Sequence, residues 1–319
     1  MEDTALIIGC QIGVQTHNVV GDMNPEEGFR ALARAGFTCA DFSLNGYLIN
    51  TDIYNAEINR FFDVSTAELE HFFTPHKNGA KAAGITINQM HMPYPIYVPT
   101  GEKDINDYLW NEVAPKSMQI CHFLECHYIV IHGLKLAKFL GSEEEEWKHT
   151  ERFIESIAPM AKEMGITICM ENLYDNVGEH MMEGPGCDVR KAVERIDRIN
   201  DRYHAEVLGF CFDTGHANLV GLDFESFITN LGDRLKVLHI HDNDGMGDLH
   251  QIPFTFTKTR ENKPSTDWEG FIRGLKNIGF DKTLSFETAP VLTTFPETMK
   301  QDALEFIARI GKYFAGELI

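Results

Sequence analysis

The sequence predicts a single (β/α)8 barrel over residues 1–319. Three observations carry that expectation. Short apolar runs alternate with longer helical patterns eight times. The helical segments open and close on capping residues. Six consecutive predicted strands end on a residue able to bind a metal or move a proton.

The predicted strands are 7–15, 38–43, 85–91, 128–132, 166–171, 208–213, 236–241 and 283–287. Each is rich in Ile, Val, Leu or Phe, as strands buried on both faces are. After the first, Asn24-Pro25-Glu26-Glu27 reads as a capping box with proline at the first helical position, and Gly36 closes that helix. After the second comes a long loop, 44–64. Ser65-Thr66-Ala67-Glu68 is then a second capping box, ahead of Leu69, Phe72 and Phe73, with Gly84 as the stop. Gly165 and Gly279 end later helices in the same way. Glu143 to Glu146 reads as the solvated first turn of a helix. The segment Ala80 to Ile87, a helix end followed by glycine and a strand start, recurs as Ala161 to Ile168, two βα units on. A second long strand-to-helix loop covers 242–265. Long loops on a compact barrel are usually functional.

Composition narrows the function. Lys and Arg number 28 against 48 Asp and Glu, a net charge of −20. Such a field repels phosphate backbones and acidic membranes, and no Lys/Arg cluster offsets it, so neither nucleic acid nor membrane is an expected partner. No apolar run reaches the roughly 18 to 20 residues of a membrane span. The start, Met1-Glu2-Asp3, lacks the basic region of a signal peptide. The seven cysteines include no CxxC pair, which fits free thiols in the cytoplasm.

The polar strand ends carry the chemistry. Gln89-Met90-His91 ends the third strand, Ile131-His132-Gly133 the fourth and Met170-Glu171-Asn172 the fifth. Phe212-Asp213-Thr214 ends the sixth, Leu238-His239-Ile240-His241-Asp242 the seventh and Phe286-Glu287-Thr288 the eighth. In a barrel these ends gather at one mouth. Clustered buried carboxylates repel one another, and a cation relieves the repulsion. Glu171, Asp213, His239 and Glu287 form an oxygen-rich set suited to one divalent ion. Mn²⁺ is the expected ion, with Mg²⁺, Co²⁺ and Zn²⁺ as alternatives. His91, His132, His216, Asp248 and His250 are candidates for binding the hydroxyls of a polyol or for holding further metal. His241 and Asp242 are expected to orient ligand carboxylates from behind. Met90, Met92, Tyr94, Trp147 and Trp268 are candidates for the pocket wall, Tyr94 foremost.

At these residues the chain resembles the xylose-isomerase-like barrels, which group sugar isomerases, ketose 3-epimerases, inosose dehydratases and the endonuclease IV type of repair enzyme. The resemblance runs over nearly the whole chain. It is carried by Ile12-Gly13-Val14-Gln15-Thr16, Met170-Glu171-Asn172, Phe212 to Asn218, Leu238 to Gly245 with Asp248 and His250, and Phe286-Glu287. It implies a metal site on Glu171, Asp213, His239 and Glu287, the two glutamates moving protons. It also implies that the extra metal positions of the repair endonucleases fall on His91, His132, His216, Asp248 and His250. Two departures lie where substrate would bind: a longer polar stretch precedes Asp267-Trp268, and Asn243 to Gly247 holds no counterpart of the epimerases' arginine.

The expected function is therefore a divalent-metal-dependent sugar isomerase or epimerase. It would act on a ketose or keto-sugar by proton abstraction through a metal-stabilised enediolate, with Glu171 and Glu287 as the catalytic pair. The alternative is a lyase or dehydratase on a keto-sugar, cyclitol or 3-keto-glycoside, and an AP endonuclease stands last because of the charge. The resemblance also implies a homo-oligomer.

Overall fold

The computed structural model describes residues 9–99, 103–136, 142–178, 180–258 and 262–319. Eight parallel strands form the barrel. They are β1 (Gln11–Gln15), β2 (Cys39–Ser43), β3 (Thr86–His91), β4 (Tyr128–Ile131), β5 (Thr167–Glu171), β6 (Leu208–Asp213), β7 (Leu235–His239) and β8 (Thr283–Phe286). Neighbours pair in chain order from β1 to β7, and β8 pairs with β1. A parallel bridge between Ile240 and Phe286 joins β7 to β8 and closes the ring. The first strand begins at Gln11 rather than at 7, and residues 7 and 8 lie outside the described residues.

Strand alternation places the site. Val130, Cys169, Cys211 and Val237 form a small apolar layer of their own. Their chain neighbours Met170, Phe210, Phe212 and Leu238 join the larger core between strands and helices. Side chains along a strand alternate in direction. The next inward position after Cys169 is therefore Glu171, after Cys211 Asp213, and after Val237 His239. The apolar layer is the floor on which the polar strand ends stand, in keeping with the layered interior of such barrels.

The helices follow most of the predicted signals. Ser65 and Glu68 form a reciprocal capping box ahead of the helix Thr66–Ala83. Gly36, Gly84 and Gly165 take the left-handed conformation that ends a helix. Asn24 departs from expectation, because its side chain makes no cap. Its Nδ2 donates to Glu27 Oε2 at 3.0 Å, while the Glu27 amide binds the Asn24 carbonyl at 3.2 Å. The Glu143–Glu146 run is also not uniformly solvated. Glu146 is buried and accepts from the Leu136 amide at 3.0 Å. Glu143 and Glu144 pair with Lys191 and Arg195 of the next helix.

The C-terminal helix Lys300–Glu317 seals the outside of β8. Its Phe314 is fully buried and meets Trp268, Phe271 and Phe286. Truncating such a ring to alanine costs about 3–5 kcal/mol. Asp267 caps the helix Trp268–Asn277 by accepting from the Gly270 amide, so the Asp-Trp pair is a helix start and a core anchor. Among the described residues no helix is long and apolar enough to cross a membrane.

Loops build the mouth. Segment 44–64 carries a short helix, Asn50–Tyr54, and a turn, Phe61–Asp63. Tyr47 stacks on Phe61 and meets Phe72 and Phe73 edge-on, which ties the loop to the barrel. After β5 the chain forms an antiparallel hairpin, Tyr174–Val177 with His180–Glu183. The strand pattern in the sequence did not predict it.

Candidate metal centre and active site

Glu171, Asp213, His239 and Glu287 each offer one ligand atom, and these atoms all lie within 4.8 Å of one another. His239 Nδ1 is 3.2 Å from Glu171 Oε1 and 3.3 Å from Glu287 Oε2. All four side chains are buried.

Three of the four are held from behind. His239 Nε2 lies 3.2 Å from Asp41 Oδ2, and Gln89 Nε2 donates to that oxygen at 2.9 Å. Asp41 and Gln89 are fully buried on β2 and β3. Gln15 Nε2 donates to Glu287 Oε1 at 2.8 Å. Asp213 Oδ1 accepts the His216 amide at 2.6 Å, capping the next helix, and Oδ2 lies 3.0 Å from His241 Nε2. Asn172 clasps the Asp213 main chain with both ends of its amide, at 2.8 and 2.9 Å. The Asp-Thr-Gly-His turn needs its glycine for space: a Cβ on Gly215 would fall 1.9 Å from His241 Cε1.

The remaining predicted residues divide. His132 and His91 place Nε2 at 3.1 and 3.4 Å from Glu171 Oε2. His216 and His250 flank Asp248 Oδ2 at 3.3 and 3.2 Å, and the His241 and His250 rings stack at 3.9 Å. Tyr94 lies on His132 with ring centres 4.2 Å apart. Asp242 does not join them. As the next residue after the inward His241, it points the other way. Its carboxylate takes the Thr266 hydroxyl at 2.6 Å and the Thr255 amide at 3.1 Å, bracing the 242–265 loop. Of the predicted wall residues, Met90, Met92, Trp147 and Trp268 are core, and Tyr94 lines the cavity.

That cavity has a volume of about 720 Å³. Glu171, Glu287, His91, His132, His216, Asp248 and His250 line it together with loop residues from four strands. The sequence reading missed Asp41 and Gln89 beneath the site and Tyr54, Tyr97, Lys135 and Tyr174 around it. Asp41 and Gln89 were legible as polar residues inside apolar strands; Tyr54 lies in the long loop 44–64 that the sequence marks as functional, and Tyr97, Lys135 and Tyr174 carried no signal.

Electrostatics here are those of the ion-free protein. Burial pushes the Glu171 carboxyl up, but His239, His132 and His216 outweigh it and hold it well below its ordinary value. Burial opposes a proton on His239, yet the groups around it, Cys211, Glu287 and Glu171 foremost, hold its pKa well above the ordinary value. His132 is lowered, chiefly by burial. Imidazolium protons thus do part of the balancing that a cation would do, and binding an ion would release them. Glu171 Oε2 is buried and aligned for a hydrogen bond with neither nearby imidazole. Three carboxylates and an imidazole that each bring one ligand atom within 4.8 Å of the others fit a divalent ion.

Residues 29–310 match the family described as xylose isomerase-like TIM barrel. An uncharacterized protein of Sinorhizobium fredii is 30% identical over 127 residues, 36% of this chain and 37% of that protein. The chain therefore spans little more than a third of that relative's length. The inosose isomerase of Bacillus velezensis is 23% identical over 207 residues, covering 63% of this chain and 68% of that protein. A D-psicose 3-epimerase crystallised in the presence of D-fructose superposes with a TM-score of 0.67 at 14% identity, covering 96% of this chain and 99% of that one.

Proposed function

The chain belongs to the xylose isomerase-like TIM-barrel family, and we propose that it is a divalent-metal-dependent sugar isomerase or epimerase acting on a ketose or keto-sugar. One observation carries the proposal. Two glutamates from β5 and β8 share a buried cluster with Asp213 and His239, and both glutamates line one cavity. The psicose epimerase and inosose isomerase likenesses support the same class. Glu171, Asp213, His239 and Glu287 would hold the ion, Mn²⁺ by preference. The ion supplies Lewis-acid stabilisation of the charge that develops on the substrate oxygen.

The chain's own residues do the rest. Gln15 fixes one oxygen of Glu287, and the other stays on the His239 side of the cluster. Glu171 keeps an unpaired oxygen. One glutamate removes a carbon-bound proton and the other returns it. Return to the opposite face of the same carbon is epimerisation; return to the adjacent carbon is isomerisation. His91, His132, His216, Asp248 and His250 bind hydroxyls around the reacting carbons. Tyr94 forms one wall. Its phenol, pushed up by burial and then by Glu287 and Glu171, stays a hydrogen-bond donor. His241 positions Asp213. A small sugar, rather than nucleic acid or a membrane, is the partner that a chain of charge −20 admits. The barrel acts as one domain, in the cytoplasm and as a homo-oligomer.

The test is solvent exchange. Incubated in D₂O with ketoses and keto-sugars, the Mn²⁺-loaded protein should place deuterium at a carbon beside the carbonyl of at least one, and Glu171→Gln and Glu287→Gln should each abolish it. Release of water or of an aglycone would reassign the site to a lyase. Tight, salt-sensitive DNA binding without sugar exchange would overturn the class.

A further inference from the structure

The cavity is larger than its reactive floor requires. Pockets for small molecules run from about 300 to about 1,000 Å³, and a free monosaccharide belongs at the lower end. At about 720 Å³ the cavity has room for a second unit. Glu171, Glu287, His91 and His132 end their strands or directly follow them, and His216 and His250 come in from the segments after β6 and β7. The remaining lining comes from further out along the loops: Asn50 and Tyr54 after β2, Tyr97 after β3, Lys135 after β4, and Tyr174 and Asn176 on the hairpin after β5.

Resting on the sugar-enzyme reading above, we propose that these six residues form an outer subsite for a second, uncharged sugar ring, so that the natural substrate is a keto-disaccharide rather than a free ketose or a sugar phosphate. Three tyrosine rings offer faces to the C–H side of a pyranose. Two asparagine amides offer paired donors and acceptors to its hydroxyls. Among the described residues the one Lys or Arg of the rim is Lys135, and it is already engaged. Lys135 Nζ is 2.5 Å from Asp175 Oδ1 and donates to the Tyr174 carbonyl at 2.8 Å. No arginine lines the cavity among the described residues, so none of the described rim side chains is a free cation for a phosphate. Burial and the Asp175 carboxylate both raise the Tyr54 phenol. Tyr54 of the loop after β2 and Tyr174 and Asn176 of the hairpin after β5 line the same cavity, so the two segments share one rim.

The experiment compares deuterium exchange by the Mn²⁺-loaded protein on matched probes: fructose against maltulose, 3-ketoglucose against 3-ketomaltose, and fructose 6-phosphate. At least one disaccharide should exceed its monosaccharide about tenfold in kcat/KM, the worth of one or two hydrogen bonds. In Tyr54→Ala and Asn176→Ala that ratio should fall toward one. Monosaccharides equal to or better than their disaccharides would overturn the outer subsite while leaving the isomerase reading intact. The same holds if fructose 6-phosphate is the best probe, or if the ratio is unchanged in both variants. No exchange with any probe would overturn the isomerase reading and the subsite with it.

Discussion

Asp41 gives the sharpest test of how the site is built. It touches no face of the cavity, yet its carboxylate lies 3.2 Å from His239 Nε2 in a fully buried pair. His239 Nδ1 faces Glu171 and Glu287. An ion on that side needs a neutral imidazole with its proton on Nε2, the nitrogen that faces the Asp41 carboxylate. Asp41→Asn keeps the shape and removes the charge. Full charges about 4 Å apart interact by about 4 kcal/mol at an effective dielectric of about 20, and that is the ceiling, because the imidazole passes on only part of the ion's charge. Carboxylates of this kind are worth about 10–100-fold in metal affinity, or about 1.4–2.8 kcal/mol. The chelated, ion-free protein would be titrated with MnCl₂ and free Mn²⁺ read by electron paramagnetic resonance. Asp41→Asn should bind at least tenfold more weakly while remaining folded by its far-UV circular dichroism. A folded variant binding within twofold of wild type would refute the reasoning.

Two further outcomes follow from the geometry. Gly215→Ala places a methyl group on His241 Cε1; the ring must leave Asp213, so Mn²⁺ affinity should fall at least tenfold, and unchanged affinity would show that His241 does not hold Asp213. In the ion-free protein, burial opposes a proton on His250, but Asp248 and Glu287 push its pKa from 6.5 up to about 9. A raised folded pKa contributes stability below the unfolded value, about 6.5, and loses it as pH climbs through the folded one. The Tm deficit of ion-free His250→Gln should therefore be largest near about pH 6 and vanish by about pH 10, and a deficit constant across that range would contradict the pairing.

Much of the barrel was legible because two periodicities were clean. Leu208–Asp213 is an apolar run with one acid at its end, and a parallel strand buried on both faces looks like that. The convergence of Glu171, Asp213, His239 and Glu287 followed from topology alone, since strand ends meet at one mouth. Residues that act on the site from elsewhere were harder. Asp41 and Gln89 sit within strands, where their polarity is visible but nothing in the sequence says that it serves His239. Asp242 looked like a partner of the ligands because it is adjacent in sequence, but alternation turns it to the loop side. Asn24 has the cap's identity without its contact, since its amide goes to Glu27. The hairpin Tyr174–Val177 with His180–Glu183 stands at the surface with little apolar alternation. Tyr54, Tyr97 and Lys135 reach the cavity through loop conformations that no periodicity encodes.

The central claim is that four strand-end residues hold one divalent ion. It is tested most directly by measuring metal content on protein purified without added metal, beside a Glu171→Gln/Glu287→Gln double variant, each followed by titration with Mn²⁺, Mg²⁺, Co²⁺ and Zn²⁺. The account predicts one ion per chain in the wild type and its loss in the variant. Two or three Zn²⁺ per chain would contradict the single-ion site, and no ion in either protein even after titration would leave a barrel without the centre described.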